Sequence, residues 1–272
     1  NFVKVLFERN SRLSDSATYD ITAWSVPFAY GLKTYGLANL TVAGTKTDVA
    51  EASATIPDNA YAYAIKWDGL NSAKLLALLI QKGIKVRYAE QPFTSGSVSF
   101  EKGTLLVTKT SNSGKPMRQI LDSASKQTGT TVYAVPTGFM DKGFDFGSDR
   151  VRTINTPKIA LLSGENISSL GAGEIWQFFD QQLGYPITLI SANDFIQGAM
   201  NQFNVLLLAD GSYDFFNKKE ANEELKNWVR RGGKIIALEN AVAQMAKADW
   251  GIKSKQDEDS MDEIKKPGYA SL

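Results

Sequence analysis

The chain contains no cysteine and no histidine in its 272 residues. The first absence excludes disulfides, thiolate nucleophiles and Cys-ligated zinc. The second removes the usual general base at neutral pH and the commonest zinc ligand. Any catalysis would have to run on Asp, Glu, Lys, Tyr or Ser. An excess charge of one sign is also lacking, since 30 Lys and Arg face 29 Asp and Glu and leave a formal net charge of +1. Nothing electrostatic therefore points to nucleic acid or to an anionic membrane surface. No apolar run reaches the ~18 residues that a membrane span needs. No secretory leader is visible and the first residue is Asn1, which reads as a mature fragment or a piece cut from a longer polypeptide.

What is present is a globular composition, 43% hydrophobic and 11% aromatic, long enough for two domains. The expected fold is α/β, with two units of mostly parallel sheet flanked by helices. The first unit, 1–150, opens on an irregular aromatic-rich segment (Tyr19, Trp24, Phe28, Tyr30, Tyr35) that reads as core, as a seam or as a partner surface. Strands are expected over 60–65, 84–88, 104–108 and 131–135, with a hairpin or loop over 93–102. A helix capped by Asn71 or Ser72 runs through Ile80 to Gly83, and a second one ends at Gly129. Strands separated by helices imply parallel pairing with right-handed crossovers. The Gly- and Asp-rich stretch 138–152 marks the boundary.

The second unit, 151–272, has near-continuous apolar strands at 158–162, 187–190 and 204–209, as expected for strands covered on both faces. Helices follow at about 168–183, at 217–231 with Asn217 as cap, and at 241–248; a charged tail covers 253–266. The whole chain is organised around Gly232-Gly233-Lys234-Ile235-Ile236-Ala237-Leu238-Glu239-Asn240-Ala241-Val242. It reads as a helix stop, a buried strand, a sharp turn and a new helix.

Three turns of this unit fall at one sheet edge, where open α/β sheets place their ligands. They are Ser163-Gly164-Glu165, Asp210-Gly211-Ser212 and Glu239-Asn240. They make a candidate polar pocket, or an acid/base site with Glu239 as base and Asp210 or Glu165 as partner. Asp, Asn, Ser and Gly are also simply what short turns use. A carboxylate at the tip of a buried turn needs hydrogen bonds, which sets Glu239 apart. In the first unit Trp67 and Asp68, with Lys66, Glu90, Lys109, Thr137 and Gly138, form a second candidate crevice; Trp67 would stack a sugar or an aromatic side chain. Gly171-Ala172-Gly173 lacks the third glycine of a dinucleotide loop, because Trp176 stands there. No residue set suggests a metal site.

Two resemblances add to this reading. Lys158-Ile159-Ala160-Leu161-Leu162-Ser163-Gly164, Val205-Leu206-Leu207-Leu208-Ala209-Asp210-Gly211 and Trp228-Val229-Arg230-Arg231-Gly232-Gly233-Lys234-Ile235-Ile236-Ala237 resemble the class I glutamine amidotransferase-like fold, a flavodoxin-like sheet. In that family a nucleophilic Cys follows the last strand; Glu239 holds the matching position, which implies a pseudoenzyme. More of the chain is similar to the region after the catalytic domain in large secreted zinc carboxypeptidases of Bacteroides-type bacteria. That likeness is carried by Leu13-Ser14-Asp15-Ser16, Tyr19-Asp20-Ile21-Thr22-Ala23-Trp24, Tyr63-Ala64-Ile65-Lys66-Trp67-Asp68-Gly69, Val135-Pro136-Thr137-Gly138, Ala172-Gly173-Glu174-Ile175-Trp176 and Ala237-Leu238-Glu239-Asn240-Ala241-Val242-Ala243-Gln244. It implies a secreted or periplasmic, non-catalytic accessory region joined to a peptidase domain. Zinc would belong to that domain, and this region would hold no cofactor of its own. Its contacts would be the peptidase, a peptide or a cell-surface glycan. The alternative is a stand-alone hydrolase using Glu239 with Asp210 or Glu165.

Overall fold

The computed structural model describes residues 56–253, which fall in one compact unit. The aromatic-rich segment before Ile56 and the charged tail beyond Lys253 lie outside the described residues.

The first sheet is built from β1 (Ala62–Ile65), β2 (Arg87–Ala89), β5 (Leu105–Thr108), β6 (Tyr133–Val135) and β7 (Val151–Thr153), in the order β6-β1-β5-β2-β7. Helix α1 (Leu70–Gln81) joins β1 to β2, and α2 (Met117–Thr128) joins β5 to β6. Strands β3 (Phe93–Ser95) and β4 (Val98–Phe100) form a separate hairpin between β2 and β5. Every neighbouring pair in the five-stranded sheet is antiparallel. The expected parallel pairing is therefore corrected. Each helix does join two strands of one direction, but a strand of the opposite direction lies between them. This is the split βαβ arrangement, and the β3–β4 excursion is what turns the chain round before β5.

Side chains alternate across this sheet with the period of two that strands impose. Tyr63 and Ile65 of β1 face the helices and pack with Leu75, Leu79 and Leu121; Ala62 and Ala64 face the other way, onto Phe93, Phe100 and Phe146. The stretch 138–152 is thus a cover for the back of the sheet. Arg87 pins it there, donating from Nη1 to the Phe146 carbonyl (2.8 Å) and from Nη2 to the Val151 carbonyl (2.7 Å).

The second sheet contains β8 (Ile159–Ser163), β9 (Thr188–Ser191), β10 (Val205–Leu208) and β11 (Lys234–Ala237), in the order β11-β10-β8-β9. All its pairs are parallel, as expected. Its helices are α3 (Ser169–Gln177), the single turn α4 (Ala192–Asp194), α5 (Lys219–Arg230) and α6 (Asn240–Lys247). Leu225 and Trp228 of α5 and Ala241 and Met245 of α6 cover one face over Leu206 and Leu208. The opposite face packs Leu161 and Leu207 against Ala172 of α3 and against Ala77 of α1, a helix of the first sheet. Gln81 at the end of α1 adds a 2.6 Å hydrogen bond to the Gly184 carbonyl. Helix α1 therefore serves both sheets.

Local signals placed the helix ends better than their caps. Gly129 and Gly184 terminate their helices with φ of 66° and 64°, as Gly does at such ends. Asn71 and Ser72 do not cap α1, whose cap residue is Gly69. The Ser72 hydroxyl instead donates to the Lys66 carbonyl and accepts from Asp68 N, closing the turn ahead of the helix. Asn217 does not cap α5, which begins two residues later. Strand β11 is not buried as its apolar run suggested. It is an edge of its sheet among the described residues, and Ile236 stays 52% exposed.

Candidate functional site

The strand order reverses between β8 and β10, and the turns that follow these two strands meet at that point. They meet backbone to backbone. Ile167 and Gly211 form an antiparallel bridge, Ser168 N donates to the Asp210 carbonyl at 2.8 Å, and Ser212 N donates to the Asn166 carbonyl at 2.8 Å. Gly211 is required by this approach, because a Cβ there would stand 2.7 Å from the Asn166 oxygen and the Ile167 Cα. Asp210, Gly211 and Ser212 are thus laced to Asn166, Ile167 and Ser168, the residues that follow Ser163 and Gly164 in the turn after β8. Glu165 lies exposed.

The third turn is sewn onto this seam by side chains. The Asp210 carboxylate accepts from Asn240 Nδ2 at 2.8 Å and from Asn240 N at 3.3 Å. Gln244, one helical turn beyond Asn240 on the same face of α6, donates to the Gly211 carbonyl at 2.6 Å and accepts from Tyr213 N at 2.8 Å. Tyr213 is buried, and its hydroxyl donates to the Ala209 carbonyl at 2.8 Å. Burial, and then the nearby Asp210 charge, push the Tyr213 phenol well above its ordinary range. Gln244 and Tyr213 were not singled out from the sequence. The Asn240–Gln244 spacing on one helix face was the available signal.

Glu239 has the unusual backbone of the site, with φ 49° and ψ −120°. Ala241 N donates to the Leu238 carbonyl at 3.0 Å, so residues 238–241 make a tight turn with Glu239 at its first central position. Those angles are those of a type II′ turn, where glycine is the usual residue. A side chain held there is thrust out at the top of the sheet, as at a nucleophile elbow. The carboxylate is exposed, so the buried turn tip expected at this position is corrected: solvent, not a hydrogen-bond network, satisfies it.

An apolar groove runs beside the elbow between α3 and β11. It encloses about 320 Å³ and is lined by Ile175, Phe178, Phe179, Leu207, Ile236 and Leu238, with Glu174 at its rim.

The second candidate crevice is divided by the antiparallel sheet. Lys66, Trp67, Asp68 and Glu90 follow strands β1 and β2 at one edge; Lys109, Thr137 and Gly138 follow β5 and β6 at the opposite one. Trp67 is 46% exposed, with one flank against Gly103, and Asp68 is exposed beside it. Among the described residues no three Asp or Glu gather as a metal-holding group, and no helix is long and apolar enough to cross a membrane. Comparison with protein-family models, with curated proteins and with solved structures found no match to this chain.

Proposed function

We propose that this chain is a non-catalytic binding and scaffolding region whose second sheet is a flavodoxin-like, amidotransferase-like unit with a carboxylate at the nucleophile position. The observation that carries the reading is the II′ backbone of Glu239 at the strand-to-helix turn after β11. Strain of that kind costs about 1–3 kcal/mol and persists only where the surroundings impose it. The order β9-β8-β10-β11 supports the same reading, since it equals the first four strands of the flavodoxin-like order. Acid/base work by Glu239 is the weaker reading. A working base needs an orienting partner, and the Asp210 carboxylate is committed to Asn240.

The place of this region beside a secreted zinc carboxypeptidase rests on the sequence resemblance. One of the stretches that carry it, residues 237–244, is the elbow itself with Asn240 and Gln244. The apolar groove along β11 is the face we assign to binding, either of the peptidase domain or of an apolar peptide segment.

The test has two arms. The isolated chain is assayed on glutamine, on a p-nitrophenyl ester and on a peptide with a free C-terminus. No turnover above background is expected; turnover abolished by Glu239→Gln would establish the hydrolase instead. In parallel, the native polypeptide is captured from its source cells with an antibody to this chain. It is expected to be larger than 29.8 kDa and to release C-terminal residues in a chelator-sensitive way. A native polypeptide of this size without such activity would sink the accessory reading.

A further inference from the structure

A further cavity shares only Lys109 with the two candidate crevices. It opens between the start of α2 and the residues ahead of β1, and encloses about 620 Å³. That volume lies within the range of small-molecule sites. Three cationic side chains line it: Lys109, Lys115 and Arg118.

The acids near these cations are already matched. Arg118 Nη1 meets Asp58 Oδ2 at 2.8 Å, and Asp122 Oδ2 meets Lys126 Nζ at 2.8 Å on the next turn of α2. Lys109 and Lys115 turn instead to backbone carbonyls, those of Asp58 and Gly83. An ammonium carries three donors, and one neutral carbonyl leaves both its charge and two donors to solvent. The loop that presents Lys115 is fixed. Asn112 is buried beneath it, accepting from Lys85 N at 2.7 Å and donating to the Lys85 and Thr108 carbonyls at 3.0 Å. The backbone that presents Lys115 is therefore held in place before a ligand enters.

We infer that this cavity binds a small molecule through an oxyanion group, phosphate or carboxylate, held between Lys109 and Lys115 with Arg118 at its rim. Either group offers the acceptors that two ammoniums and a guanidinium match.

The test is titration of the intact chain with inorganic phosphate and, separately, with citrate, at constant ionic strength. Amide shifts are followed by two-dimensional NMR. Saturable shifts are expected at Ser113, Gly114 and Lys115 with at least one probe, and the stronger probe identifies the group. Lys109→Gln is expected to weaken that binding about tenfold, the loss of one charge-assisted bond. Arg118→Gln serves as a second variant, because it leaves the Lys115 contact with the Gly83 carbonyl untouched. Lys219→Gln, on α5, is expected to bind as the parent does. No saturable shift with either probe, shifts centred elsewhere, or undiminished binding in both cavity variants would overturn the assignment.

Discussion

Asp210 and Asn240 tie two strand ends together: one carboxylate oxygen accepts both the side-chain amide and the backbone N–H of Asn240. The cap residue of α6, Glu239, makes no side-chain capping bond of its own. Asp210 does the work from the neighbouring turn, placing a negative charge at the positive end of the helix. Asp210→Ala is expected to destabilise the chain by about 1 kcal/mol, the usual loss on removing a cap. Asp210→Asn, which keeps an acceptor, is expected to lose less. Urea unfolding of the three proteins checks the order.

The φ of 49° at Glu239 sets a second expectation. A glycine there relieves about 1–3 kcal/mol of strain and gives back about 0.5–1 kcal/mol in unfolded-chain entropy. Glu239→Gly is therefore expected to raise the stability by about 1 kcal/mol, and Glu239→Gln to leave it unchanged. A loss in the glycine variant would reveal a contact of the Glu239 side chain that holds the turn.

Gly233 and Trp228 set a third. A Cβ on Gly233 would lie 2.3 Å from the Trp228 ring, which is itself buried in the core of the second sheet. Gly233→Ala is expected to cost about 1–3 kcal/mol, the range for overpacking. Thermal unfolding would give the loss, and a changed tryptophan emission would locate it. An unshifted melting temperature would mean that Trp228 has room to turn.

Tyr213 sets the expectation for pH. Its folded-state phenol is raised above the ordinary 10.0, mainly by burial and then by Asp210. Burial raises Tyr185 in the same direction. Below 10.0 both states keep the proton; above it the unfolded chain ionises first while the folded chain resists. The stability from this group is thus complete below that pH and is lost as the pH climbs towards the folded value. Tyr213→Phe is expected to cost about 1 kcal/mol at neutral pH, from the bond to the Ala209 carbonyl. It should also flatten the alkaline fall. An unchanged alkaline slope in this variant would contradict the assignment to Tyr213.

Much of the candidate site could be read without coordinates. The apolar runs ending in Ser163-Gly164, Ala209-Asp210-Gly211 and Leu238-Glu239 marked three strands and three turns, and β8, β10 and β11 lie where they were expected. Parallel neighbours then put the turns at one edge. What they do there was not legible. The bridge between Ile167 and Gly211 and the reach of Gln244 to Gly211 depend on the approach of segments far apart in sequence. The exposure of Glu239 was missed because an edge strand and a central one share the same apolar alphabet.

The sequence by itself determined most of the elements: where the main strands and helices run, that Gly129 and Gly184 end two of the helices, and that no Cys or His chemistry is open to the chain. Those are local properties, set by side-chain period, backbone freedom and functional groups. The tertiary structure alone decided which strand lies beside which. It made the first sheet antiparallel by inserting β5 between β1 and β2, split one expected crevice across two edges, and joined the turns of the other by hydrogen bonds. The reason is physical: an apolar face specifies that it must be covered, but not by which partner. That choice is made by chain reversal at β3–β4 and by the shared packing of α1 between both sheets.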